Sequence, residues 1–174
     1  MAATHHQVLI IGGGTAGITL AASLRKRAPR KLDIAIVEPS ELHYYQPAFT
    51  LVGAGLYDLD KTRRPVAALV PSRVALIRAA VAEFRPEQNA VKLSTGDFVN
   101  YDWLIVCTGL ALDWDKVAGL AATLGKNGVC SNYSPDSVRY TAELVRALKP
   151  GAKDRKSTRL NSSHIQKSRM PSSA

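Results

Sequence analysis

The chain has 174 residues, 46% apolar and 21% charged: enough apolar content for a packed core, and no bias of the disordered or fibrous kind. No apolar run reaches the roughly 18 to 20 residues that span a bilayer. Residues 1–7 carry no apolar h-region, so neither a membrane span nor a signal peptide is expected. The formal net charge of +9 raises the question of nucleic acid, but no aromatic-interleaved basic stripe or nucleic-acid motif accompanies it, and no such partner is expected.

Residues 8–11 (VLII) form an apolar run suited to a strand buried on both faces of a parallel sheet. Glycines follow at 12, 14 and 17, the spacing of the dinucleotide fingerprint. Gly12 serves the tight turn, Gly14 keeps a Cβ out of the path of a pyrophosphate, and Gly17 lets the next helix pack on the strand. That helix is predicted over Thr15 to Arg27, with its free N–H groups and positive dipole end facing the phosphates. A second strand, Asp33 to Val37, ends in Glu38, whose carboxylate is placed to accept both ribose hydroxyls of an adenosine. An acid there disfavours a 2′-phosphate, so FAD or NAD is expected rather than NADP. The bland alternative is an ordinary glycine turn with an N-capping or solvated Glu38.

Pro39 and Pro47 oppose a long helix after Glu38, leaving a short one within 47–56. Another short helix is begun by Pro65 and stopped by Pro71. Residues 74–82 (VALIRAAVA) are the next strand candidate. Residues 90–107 read as hairpin arms about Gly96-Asp97 followed by a core strand, Trp103 to Cys107, so a small antiparallel β-meander precedes the next parallel strand. Residues 110–134 have little periodicity and read as a crossover. Ser134 is the N-cap, with Pro135 at N1, of a helix to about Leu148 that Lys149-Pro150-Gly151 ends. The order of elements predicts an α/β, doubly wound domain.

The charge is unevenly placed. Residues 154–174 hold five Lys or Arg against one acid, +4 of the +9, in a serine-rich segment with no hydrophobic periodicity. Its opening, DRKSTRLNSSH, is what translation of a common sequencing-library adapter yields. This stretch is therefore expected to be a non-native, disordered tail with no part in fold or function, the natural chain being broken off near Lys153. The modest remaining excess of +5 fits anionic phosphates or an anionic membrane surface.

Several blocks carry a resemblance. EPSELHYYQPAFTLVGAGL, RPVAALVP, YDWLIVCTG, LDWDKVAGL and GKNGVCSNYS together resemble the sulfide:quinone oxidoreductases, over roughly residues 7–152. The resemblance implies a Rossmann-like FAD-binding domain over 1–110. It further implies a crossover and first helix of a second, truncated dinucleotide-binding-like domain over 111–153. By position, Gly12, Gly14, Thr15, Ala16 and Gly17 would cradle the pyrophosphate and Glu38 would hold the adenosine ribose. Pro39 and Ser40 would flank the adenine and Val81 would meet its edge through backbone. Gln46 and Pro47 would approach the isoalloxazine, and Thr108 and Gly109 would close the dinucleotide.

The family chemistry implied is oxidation of sulfide, with electrons passed through FAD to a membrane quinone. It needs redox cysteines at the flavin, exposed and electropositively placed so that the thiolate forms. Cys107 lies inside an apolar strand and reads as a structural thiol. Cys130, in a loop, reads as incidental. No catalytic residue is therefore assigned here, and the redox cysteines are expected beyond Lys153, as are the quinone pocket and the membrane anchor. Two cysteines make no disulfide framework and suit a reducing cytosol. The expected location is cytoplasmic, peripheral to the membrane in the whole protein.

No metal site is expected from His5 and His6, which read as terminal and solvated. His43 reads as tuning the flavin or as an ordinary hydrogen-bonded histidine. Arg63 and Arg64 read as a solvated helix start, and Asp113 and Asp115 as a solvated crossover. A type II NADH:quinone dehydrogenase is the rival enzymatic reading, and a non-catalytic flavin-binding fragment the non-enzymatic one.

Overall fold

The computed structural model describes residues 4–149; the tail segment lies outside the described residues. In chain order the elements are β1 (Thr4–Ile11), α1 (Thr15–Arg27), β2 (Ile34–Val37), β3 (Leu42–Tyr44), α2 (Phe49–Gly53), β4 (Arg63–Pro65) and α3 (Val66–Leu69). They continue with β5 (Val74–Ile77), β6 (Val81–Arg85), β7 (Ala90–Leu93), β8 (Phe98–Val106), α4 (Leu120–Thr123) and α5 (Pro135–Ala147). Six strands form one sheet in the order β5-β2-β1-β8-β7-β6, and β3 pairs with β4 apart from it. The first four run parallel, while β7 and β6 join antiparallel. The result is a mixed α/β, Rossmann-like fold with its meander fused to the sheet.

The apolar runs of β1 and β2 follow from burial on two faces. Val8, Ile10, Ile34 and Ile36 pack with Ala21 toward α1. Leu9, Ile11, Ala35 and Val37 instead pack beneath the meander residues Val91, Leu93, Val99 and Tyr101. Each fully buried Ile or Leu contributes about 1.5–3 kcal/mol. A third cluster seats α5 on α2, through Val138 against Phe49, Val52 and Leu59. Ser134 caps α5 as the sequence predicts, its side chain accepting from the Asp136 N–H at 3.2 Å.

Four expectations need correction. The strand predicted over 74–82 is two strands, because the chain turns at Arg78–Ala80 and passes from the parallel sheet into the antiparallel meander. The second arm of the hairpin and the core strand are one element, β8, which pairs with β7 over 98–100 and with β1 along its length. Its outer half is less buried than a core strand should be: Trp103 is 71% exposed and Val106 55%. Arg63 and Arg64 start no helix; they form β4, opposite Tyr44 and His43. His5 and His6 are likewise not loose: both lie in β1, with His5 Nε2 2.9 Å from Asp102 Oδ1 and His6 Nδ1 2.9 Å from Asp33 Oδ2.

At the meander, Arg85 stacks over the Phe98 ring at 4.9 Å and bonds both oxygens of Glu83. That guanidinium holds the Glu83 carboxyl below its usual range.

Candidate functional site

The site begins where β1 stops. Gly12 leaves the strand at φ +107°, and its N–H donates to the Val37 carbonyl at 2.9 Å. A Cβ at Gly12 would run into the Cys107 carbonyl, and one at Gly17 into the Gly12 carbonyl oxygen. Two strands and a helix thus meet with no room for side chains. Gly14 is different: nothing lies within 4 Å of where its Cβ would stand.

Gly14 is also the N-cap of α1, and no side chain caps that end. The first helical bond runs from the Ile18 N–H to the Gly14 carbonyl at 3.0 Å, so the first-turn N–H groups have no intrahelical partner. No acid occupies the first turn. An uncapped helix end of this kind, with its partial positive charge, offers a seat to an anion.

Glu38 sits at the tip of the neighbouring strand and is neither a helix cap nor simply solvated. Its Oε2 accepts from the Gly13 N–H at 2.7 Å and its Oε1 from the Ser40 N–H at 2.7 Å. A carboxylate has about four acceptor positions, so lone pairs remain for further donors.

A cavity of about 380 Å³ opens beside it. Six of the sequence-predicted residues line it together: Gly12, Glu38, Pro39, Ser40, Val81 and Thr108. Ala79 and Phe84 also line it and were not anticipated, because the reading of 74–82 as one strand hid the segment that carries Phe84. Apolar side chains, Val37, Ala79, Val81 and Phe84, share the lining with Ser40, Thr108 and the Glu38 carboxylate, the balance of a small-molecule site.

The other predicted residues stand elsewhere. Thr15 lines a second cavity of about 370 Å³, with His43, Tyr45, Lys61 and Arg64. Gln46 lines a third of about 440 Å³, with Leu110, Leu112, Trp114 and Tyr133. Ala16 is exposed in the first turn of α1, and exposed Gly109 turns the chain at φ +72° after β8. Cys107 is partly buried, donating its N–H to the Ile11 carbonyl at 2.7 Å, and Cys130 is exposed.

A parallel sheet, a glycine turn feeding an uncapped helix at its carboxyl end, and an acid on the adjacent strand define a dinucleotide-binding α/β domain. The model of the pyridine nucleotide-disulphide oxidoreductase family matches residues 6–133, and the chain belongs to that family. It is 45% identical over 145 residues to the mitochondrial sulfide:quinone oxidoreductase of Dictyostelium discoideum, covering 83% of this chain and 32% of the relative. Identity to the mitochondrial sulfide:quinone oxidoreductase of Mus musculus is 39% over 150 residues, covering 86% and 33%. The crystal structure of the sulfide:quinone oxidoreductase from Aquifex aeolicus superposes with a TM-score of 0.68 at 25% identity, over 83% of this chain and 32% of that one. The chain therefore spans about a third of the length of these relatives. The family and these relatives are FAD-binding flavoprotein oxidoreductases.

Proposed function

We propose that this chain holds FAD for a sulfide:quinone oxidoreductase, with the reacting sulfur chemistry carried by parts of the protein outside these residues. The observation that carries the reading is the 380 Å³ cavity joining Glu38 to a glycine turn whose missing side chains leave an anion-accepting helix end open. In this reading the N–H groups of Thr15, Ala16 and Gly17 hold the pyrophosphate across the open face of Gly14. Gly12 fixes the turn that aims them. Glu38 accepts the adenosine ribose hydroxyls with its remaining lone pairs. Pro39, Ser40, Val81 and Phe84 enclose the adenine. Thr108 and Gly109 close the cofactor from the end of β8, and Gln46 faces the isoalloxazine side, where Trp114 and Leu110 supply an apolar wall.

When bound, FAD supplies two-electron transfer between sulfide and a quinone. Neither cysteine of the chain is given a redox role: Cys107 is held in the α1-side core, and Cys130 lies in the crossover. The 174-residue polypeptide is thus a flavin-binding piece without turnover. Association with a quinone-bearing membrane is peripheral and assigned to other parts of the protein; no helix of the described residues is long and apolar enough to cross a membrane.

The test is reconstitution. The purified chain is mixed with FAD, and bound flavin is read by absorbance after gel filtration, with sulfide-dependent reduction of a soluble quinone followed in parallel. Stoichiometric flavin with no quinone reduction is expected, and Cys107→Ser and Cys130→Ser are expected to leave flavin content unchanged. Appreciable turnover would show that the catalytic groups are already present; failure to retain flavin would remove the reading.

A further inference from the structure

The opposite end of the sheet has a feature that flavin binding does not use. Arg25 near the end of α1, Arg30 in the loop before β2, and Ser72 and Arg73 in the turn before β5 line a cavity of about 280 Å³. No carboxylate lines it, and among the described residues none of the three arginines is in an ion pair. Arg25 is half-buried and meets only neutral acceptors, the Arg30 carbonyl at 3.3 Å and the Leu32 carbonyl. Its Nε is buried with no acceptor at all. A half-buried cation without a counter-charge favours an anion beside it.

Basic residues at a helix C-terminus ordinarily offset the dipole there. That end carries only about half a negative charge, less than these guanidinium groups supply, and Arg73 comes from a different segment. Lys26, Arg27 and Lys31, all exposed, extend the positive field along the same helix end and loop.

We propose that this cavity binds a compact, multiply charged phosphate, separately from the dinucleotide cradle. Guanidinium forks match phosphate oxygens two at a time, and the Ser72 hydroxyl adds a donor. The phosphate could come from a free diphosphate or from a lipid headgroup, and the chemistry of the cavity is the same for both.

The test starts from the full chain carrying Gly14→Val, which fills the cradle, titrated calorimetrically with inorganic pyrophosphate at low salt. One site is expected, weakening as salt is added. Adding Arg30→Gln and Arg73→Asn is expected to weaken it at least tenfold; Asn tolerates the left-handed backbone at position 73, where φ is +65°. Arg30→Gln alone, in an exposed loop, is expected to cost at least threefold and serves if the combined variant does not fold. Phosphatidylcholine vesicles with and without phosphatidic acid form the second arm. Sedimentation only with phosphatidic acid, competed by pyrophosphate, supports the site with a lipid as its source. Pyrophosphate binding without sedimentation supports a free phosphate. Binding of neither probe, or pyrophosphate binding that both arginine variants leave untouched, overturns the proposal.

Discussion

The two ends of the parallel sheet offer an anion opposite kinds of partner. At the carboxyl end the donors are backbone N–H groups of a glycine turn and an uncapped helix, and the charged side chain bonded to that turn is the negative Glu38. At the amino end the donors are arginine side chains brought from three separate segments. A backbone site depends on side chains that are absent at fixed spacing, so its geometry is tight and intolerant of any added carbon. A side-chain site depends on charge delivered by long, adaptable stems, so it tolerates changes of shape but is screened by salt. The two ends should therefore fail separately and in different ways.

Gly17→Val attacks the carboxyl end at its root, forcing a side chain into the Gly12 carbonyl. We expect a loss of about 3 kcal/mol in urea unfolding, the upper part of the overpacking range, and flavin lost with it. Gly14→Val separates binding from folding, since open space surrounds that position. Stability should fall by no more than about 1 kcal/mol, the cost of a poorer N-cap, while flavin affinity falls at least a hundredfold, about 2.7 kcal/mol, in fluorescence titration. Equal affinity would mean that no pyrophosphate crosses Gly14.

Glu38→Ala leaves the Gly13 and Ser40 N–H groups without their acceptor and, on the proposed function, removes the ribose partner. Flavin affinity should drop roughly tenfold, about 1.5 kcal/mol. Ser134→Ala removes the cap of α5 and should lower thermal stability by about 1 kcal/mol; because Ser134 also lines the Gln46 cavity, any loss of flavin affinity should stay below that of Glu38→Ala. The smallest effect is expected from Arg30→Gln with Arg73→Asn, which should leave stability within about 0.5 kcal/mol and flavin affinity intact. A drop in flavin affinity there would join the two ends and break the contrast.

Much of the carboxyl end is legible in the sequence. Gly12, Gly14 and Gly17 sit at the turn, the open face and the helix–strand crossing that their spacing predicts, because each role is set within six consecutive residues. The strands β1 and β2 are legible for a related reason, since burial on both faces leaves no polar position in VLII or IAIV. The break at Arg78–Ala80 is not legible. Continuous apolar and β-branched residues state that a segment is extended, not that it reverses direction, and that ambiguity concealed Phe84. The pairing of β3 with β4 is hidden too, as three-residue strands flanked by prolines carry no period.

What the sequence by itself determined is the device that needs no distant partner: a glycine turn, an uncapped helix and an acid on the next strand. Local spacing sets where backbone N–H groups point, and spacing is written in the chain. Only the tertiary structure decided that Glu38 spans the N–H groups of Gly13 and Ser40 and that Gln46 opens on a different cavity from Glu38. It alone gathered Arg25, Arg30 and Arg73 around one space. Those outcomes depend on how α1 and the loops before β2 and β5 pack together, and a charge in the chain does not specify which other charges will face it.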